Sequence, residues 1–360
     1  MLVGTTDPKW PSALHWLQAG GGPDLPSLGI VGAPVTIGSI TPGLHYDLGP
    51  KFIRESLAGF STYDLDNGVD LLAIRPEDLG DLPVAALDPS DAFCTIVEGV
   101  RSALRRQPAL IILGGNNSIT RAGCHGTCKS LSNGGLLTFD AHLDVRDLQH
   151  GLNNGNPIRA LLKDGLPGSH IVQIGAHSFC NSSSYLEVAE SAGITLVPAQ
   201  DVRARGVDTV VSQALEYLST VAEVIYVDVD LDVLDRTLAP ACPGSRPGGL
   251  SLWDLRVAAR LCGLHSKVRT LDIVELDPTR DLASVTTMAA ATCLLSFCVG
   301  HLERARASKL PIVEADAPET RSPAQSGGDL VQPDYPTRHP ARNFAHCEGT
   351  GDQDRAIRGK

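Results

Sequence analysis

Two short acidic segments hold most of the side chains capable of chemistry. FDAHLDVRD (139–147) places Asp140, His142 and Asp144 at alternating positions, and YVDVDLDVLDR (226–236) does the same with Asp228, Asp230 and Asp232. If the backbone stays extended, alternate side chains share one side. Each segment then presents three carboxylate or imidazole donors together. Desolvated carboxylates at close range repel one another, and a divalent cation removes the conflict. Carboxylates supplied by two strands can bridge two ions, and an ion pair of that kind activates water. Oxygen-rich ligation with one imidazole suits Mn²⁺ better than Zn²⁺, which collects several His or Cys ligands, so the expected cofactor is two Mn²⁺ ions. Either segment alone also reads as a solvated acidic turn; two together, each behind an apolar run, favour the metal centre.

The elements that must position these donors follow from the apolar pattern. Short aliphatic runs at 28–33, 109–113, 135–139, 170–174, 195–197, 224–229 and 268–274 read as strands buried on both faces. Amphipathic stretches at 90–106, 156–164, 183–192, 207–220, 251–262 and 282–301 read as helices, the last two opened by Ser or Asp caps. This alternation predicts an α/β fold of βαβ units with a mostly parallel central sheet. Both acidic segments follow a strand, so they emerge at the carboxyl edge where such sheets place ligands.

Composition narrows the field. Across 360 residues the chain is 42% hydrophobic and only 4% aromatic, which fits one large aliphatic domain, taken here as 1–310. The Pro-, Gly- and Asp-rich stretch 311–360 is expected to be a disordered tail. A net charge of -11 argues against nucleic acid and for a small-molecule substrate. No apolar run is read as reaching the roughly 18 to 20 residues of a membrane span, so the expectation is a cytoplasmic protein without a membrane partner. Nine irregularly spaced cysteines read as reduced thiols, including Cys124 and Cys128 on either side of His125, whose spacing matches no zinc or haem motif.

Four motifs in order resemble the ureohydrolase superfamily of arginases, agmatinases and formimidoylglutamases, from about residue 29 to 300. They are DAHLD (140–144), the Asp230, Asp232 and Asp235 triplet, the Pro-rich APACPGSRPGGLS (239–251) and LDIVELDP (271–278). The resemblance implies a three-layer α/β/α fold and two ions, with Asp140 and Asp230 bridging. Asp144 would complete one ion site; His142 and Asp232 would complete the other. Asp235 and Asp272 would orient those ligands, and Glu275 would pair with a planar amidine or guanidinium head. It also raises the expectation of a homo-oligomer.

Two departures stand out. GGNNS (114–118) puts Asn117 where the family commonly has a metal-binding His, leaving Asn117 as a weaker oxygen ligand, a cap for the helix beginning near Ser118, or both. In HGLNNGNPIRALL (150–162), Asn154 occupies the place of a proton-shuttling His. An amide does not titrate, so proton transfer must pass through water, Asp144 or another group. His150 lies nearby and reads as an exposed loop histidine.

The substrate is narrowed by charge. In QIGAHSFCNSSSY (173–185) the position that would hold the α-ammonium of arginine is Cys180 or Asn181, both uncharged. Arg146, two residues past Asp144, offers a guanidinium to a carboxylate, or else an ion pair to Asp147. N-formimino-L-glutamate fits, with Arg146 on one carboxylate and His177 as a second contact, and within the superfamily the chain resembles the bacterial formimidoylglutamases of histidine breakdown. The alternatives are an arginase, agmatinase, guanidinobutyrase or N-hydroxyarginine hydrolase, and, in another class, a non-catalytic binding relative.

Overall fold

The aliphatic runs pair side by side into one parallel sheet, because each carries apolar side chains on both faces and needs cover on both. In the computed structural model, which describes residue 7 and residues 9–308, the strands are β1 (Ser27–Ala33), β2 (Arg75–Asp81), β3 (Leu110–Gly114), β4 (Gly134–Phe139), β5 (Ile171–Ala176), β6 (Thr195–Pro198), β7 (Val224–Asp230) and β8 (Val268–Val274). Their order is β2-β1-β3-β8-β7-β4-β5-β6, and every neighbouring pair is parallel. The stretch 311–360, expected to be a tail, lies outside the described residues.

The helices are α1 (Ala13–Ala19), α2 (Gly49–Ser56), α3 (Pro89–Leu104), α4 (Ile119–Thr127), α5 (Pro157–Asp164), α6 (Ser183–Ala192), α7 (Ala199–Arg205), α8 (Val207–Val221), α9 (Leu252–Leu264) and α10 (Val285–Ala307). On β3, Leu110 and Ile112 point into the core with α3 to α6, while Ile111 and Leu113 point into the core with α1, α2 and α7 to α10. The result is the expected three-layer α/β/α arrangement. Ser251 opens α9 with a reciprocal capping box to Asp254. At α10 the N-cap Ser284 makes no side-chain cap bond, and the first-turn N–H groups of Thr286 and Thr287 donate instead to the Asp281 carboxylate.

Two readings need correction. β2, RPEDLGD, was missed because it is an edge strand: it pairs on one side only and tolerates Pro76 and charge, unlike the central strands. Arg54 of α2 holds its Asp78 and Asp81. α10 spans 23 residues and contains an 18-residue stretch of mean hydropathy 1.6, long and apolar enough to cross a membrane, which the sequence reading did not find. Of that stretch 78% is buried inside the protein, so it serves as the core helix against α9 and α2.

Candidate metal centre and active site

Four adjacent central strands, β3, β8, β7 and β4, end along one edge, and the segment leaving each delivers part of the site. Asn117 follows β3, Glu275 follows β8, Asp230 ends β7 with Asp232 just beyond, and Asp140, His142 and Asp144 follow β4. Convergence does not come from an extended backbone, as the alternation suggested. β4 stops at Phe139; the Asp140 carboxylate accepts from the His142 backbone at 2.6 Å, a local Asx-type turn, and Asp144 has φ 49°. Asn181 braces this loop, accepting from Leu143 and donating to the Ala141 carbonyl. On the β7 side Asp230 accepts from the Asp232 backbone at 2.8 Å, which turns Asp232 toward Asp140.

Donor atoms of Asp140, His142 and Asp232 lie within 4.8 Å of one another. His142 Nδ1 is 2.8 Å from Asp232 Oδ2 and 3.7 Å from Asp140 Oδ1. Burial, then the charge of Asp232, pushes Asp140 up to about 7. Burial pushes Asp144 and Asp230 well above the carboxylate range, with neighbouring acids adding to the rise. Burial opposes the charged His142, but Asp232 and Asp140 push it up to about 12; in return, His142 outweighs burial at Asp232 and holds it low. Asp140 Oδ2 is buried without a hydrogen-bond partner. An orphaned carboxylate oxygen among like charges is a place a cation fits. Gly244 allows the Pro-rich loop to close over the cluster, since a Cβ there would fall 2.0 Å from Asp232 Oδ2.

Beside the cluster, Glu275 also takes a left-handed backbone, φ 68°. A buried non-glycine residue in that region is strained and is held by its surroundings. Its Oε1 accepts from the Asn117 backbone at 2.8 Å and from Asn154 Nδ2 at 3.0 Å, and Tyr46 lies beside the same carboxylate in the cavity wall. Burial outweighs these bonds and pushes Glu275 up to about 7. Tyr46, itself raised far above its ordinary value by burial and Glu275, was missed: a single tyrosine in a Gly- and Pro-rich loop carries no periodic signal. Asn154 Oδ1 meanwhile accepts from Ile40, so this amide ties the 38–41 loop to Glu275. Its role here is positioning, in line with its lack of a titratable proton.

Asn117 does not cap α4 with its side chain; the N-cap is Ser118, which makes no side-chain cap bond. Asn117 Nδ2 donates to Asp144 at 2.8 Å and its Oδ1 accepts from Thr120. Its amide nitrogen thus faces the cluster, and ligating an ion through Oδ1 would require turning the amide over and losing the bond to Asp144. Asp272 sits beneath, accepting from Thr120, Tyr226 and the Val229 backbone. Asp235 does not reach the ligands: it accepts from Thr237 and Gly248 and so shapes the Pro-rich loop.

A cavity of ≈ 170 Å³ opens over this floor, lined among others by Asp144, Asp230, Glu275, Arg146, Cys180 and Asn181. It is well below the ~300–1,000 Å³ of pockets for drug-sized ligands, so it suits a small molecule. Arg146 lies over the Tyr185 ring at 5.7 Å and makes no ion pair with Asp147 or any other described residue. His177 is not in this wall. It is buried with Nε2 against the Val233 carbonyl at 3.1 Å, and burial lowers its pKa, so the second substrate contact expected of it is not where the structure puts it. His150 is exposed outside the cavity.

A cation-ready acidic cluster at the carboxyl edge of a parallel three-layer fold, facing a small cavity with a buried amidine-sized carboxylate, defines a metallohydrolase. The model of the arginase family matches residues 26–300, and the chain belongs to that family. A formimidoylglutamase from Halalkalibacterium halodurans is 37% identical over 285 residues, covering 78% of this chain and 88% of the relative. An agmatinase from Pyrococcus horikoshii is 30% identical over 270 residues, covering 74% and 88%. The crystal structure of formimidoylglutamase from Bacillus subtilis matches with TM-score 0.76 at 28% identity, covering 83% of this chain and 94% of that one. The protein is accordingly a metal-dependent hydrolase acting on C–N bonds of linear amidines, in a binuclear family.

Proposed function

We propose that the protein is a di-manganese formimidoylglutamase that hydrolyses N-formimino-L-glutamate. The observation that carries this reading is the unpaired Arg146 guanidinium, stacked over Tyr185 in the wall of a cavity whose floor is otherwise acidic. Agmatine, which has no carboxylate, leaves that cation without a partner. Asp140, His142, Asp144, Asp230 and Asp232 would hold the two ions. The oxygen-rich set with one imidazole favours Mn²⁺, and the orphaned Asp140 Oδ2 is the atom that most needs it. Bound divalent ions supply Lewis acidity and activate water near neutral pH.

The remaining work belongs to the side chains. Glu275, pinned by Asn154 and the Asn117 backbone, receives two parallel N–H groups of the amidine and fixes its plane. Asn117 aims Asp144 through its amide. Asn154 has no proton to give, so the departing nitrogen takes its proton from water or from Asp144. Protein loaded with Mn²⁺ is expected to turn over N-formimino-L-glutamate with a kcat/KM well above that for arginine or agmatine, read by ammonia, formamide and urea assays. A preference for either guanidine overturns the assignment, and elemental analysis with activity reconstitution across divalent metals tests the manganese.

A further inference from the structure

We infer that Arg246 is a second carboxylate receptor in the same cavity, so that the site takes an amidine bearing two carboxylates, one to Arg146 and one to Arg246. This rests on the amidine reading above and names what confers selectivity for the second carboxylate.

Arg246 lies in the Pro-rich loop that leaves β7, and it lines the cavity together with Arg146, which leaves β4. Its loop is held from several sides. Gly244 abuts Asp232, Arg236 Nη1 donates to the Cys242 carbonyl at 2.9 Å and to Ser245 Oγ at 3.1 Å, and Asp235 accepts from the Gly248 backbone at 2.7 Å. Arg246 Nη1 donates to the carbonyls of Pro243, Gly244 and Ser245 at 3.0, 2.9 and 3.0 Å. That fixes one corner of the guanidinium. Among the described residues its Nε and Nη2 have no acceptor, and no carboxylate lies within ion-pair distance.

Several guanidiniums elsewhere pair with acids, Arg54 with Asp78 and Asp81, Arg121 with Asp164, Arg256 with Asp66 and Arg260 with Glu303, while others, such as Arg236 and Arg269, spend their donors on backbone carbonyls. The two cations lining the catalytic cavity are left open although Asp144, Asp230, Asp232 and Glu275 line it too. Those acids are committed to the cluster and to one another. An amidine head on Glu275 with a carboxylate toward each guanidinium therefore satisfies every charged group in the wall, and two anionic contacts of different origin are needed to do so. The planar fork of Arg246, with one corner already anchored, loses little freedom on meeting a carboxylate.

The test uses metal-loaded full-length protein and three substrates: N-formimino-L-glutamate, its analogue lacking the α-carboxylate, and its analogue lacking the side-chain carboxylate. Arg246→Gln retains a donor for the loop carbonyls without the charge, and Arg146→Gln serves as its counterpart. Arg246→Gln should raise KM for the dicarboxylate by roughly ten- to a hundredfold, the usual weight of a hydrogen bond to a charged group, with kcat changed by less than about threefold. One of the two monocarboxylates should be insensitive to Arg246→Gln, and the other insensitive to Arg146→Gln. Arg246→Lys should recover part of the KM. An unchanged KM, or an equal loss on all three substrates as expected for a loop that merely misfolds, overturns the receptor while wild-type turnover leaves the amidine assignment standing. Wild-type protein that hydrolyses only guanidines without a carboxylate overturns both.

Discussion

Two rows of buried acids cross the central strands at successive levels. In the lower row Asp228 of β7 and Asp272 of β8 are direct cross-strand partners, fully buried. Thr138 donates to Asp228 at 2.7 Å, and Tyr226 and the Val229 backbone donate to Asp272 at 2.5 and 3.2 Å. Burial raises both, and at Asp228 the neighbouring Asp272 charge adds to the rise. Every oxygen in that row has a partner. In the upper row Asp140, Asp230 and Asp232 are as deeply buried, yet Asp140 Oδ2 has none. Same residue type and same depth therefore give two outcomes: hydroxyl and backbone donors satisfy one row, and the other is left to cations. Burial and acidity do not by themselves make a metal site; an unsatisfied oxygen at the open edge of the sheet does.

The comparison can be broken most directly at Asp230. Asp230→Ala should lose metal and at least on the order of 10²–10³ in kcat, read by elemental analysis and turnover; full metal retention would refute its proposed place among the ligands. Tyr226→Phe strikes the lower row. It should cost about 1–3 kcal/mol in a denaturant titration, the weight of a buried group losing its partner, with metal stoichiometry unchanged. Loss of metal there would mean that the rows are coupled and that the contrast drawn between them is false.

His301 supplies the smallest and most general check, a buried titratable group satisfied in its neutral form. Its Nε2 lies 3.0 Å from the Ser27 carbonyl and its Nδ1 faces Arg304. Burial, with the Arg304 charge, lowers it to about 4. Its folded pKa is below the unfolded value of about 6.5, so the unfolded chain binds the proton first. The folded state should lose about 1 kcal/mol from this group by roughly pH 5.5, with no loss above pH 7. His301→Gln should flatten that part of the stability profile; an unaltered slope would show that the histidine is not neutral.

Much of the architecture was legible because burial on both faces writes itself as continuous aliphatic runs, and seven of these became strands of one parallel sheet. The edge strand β2 was not, since pairing on one side only relaxes the demand for apolar residues. The acid-bearing segments were legible for a similar reason: three charged positions directly behind a buried strand are too costly to be incidental. Which oxygens stay unsatisfied was not. Asp228 and Asp230 share a face and a spacing, and only the placement of Thr120 and Thr138 separates them. His177 and Asp235 resembled site residues in the chain, and the structure places their contacts on the Val233 carbonyl and on Thr237 and Gly248, while Tyr46 and Arg246 were not singled out at all. By itself the sequence determined the layers, the carboxyl edge and the donors offered there, all consequences of local periodicity and desolvation. The tertiary structure decided which donors meet and which guanidiniums remain unpaired, because those contacts depend on strand order and loop closure, which no local pattern records.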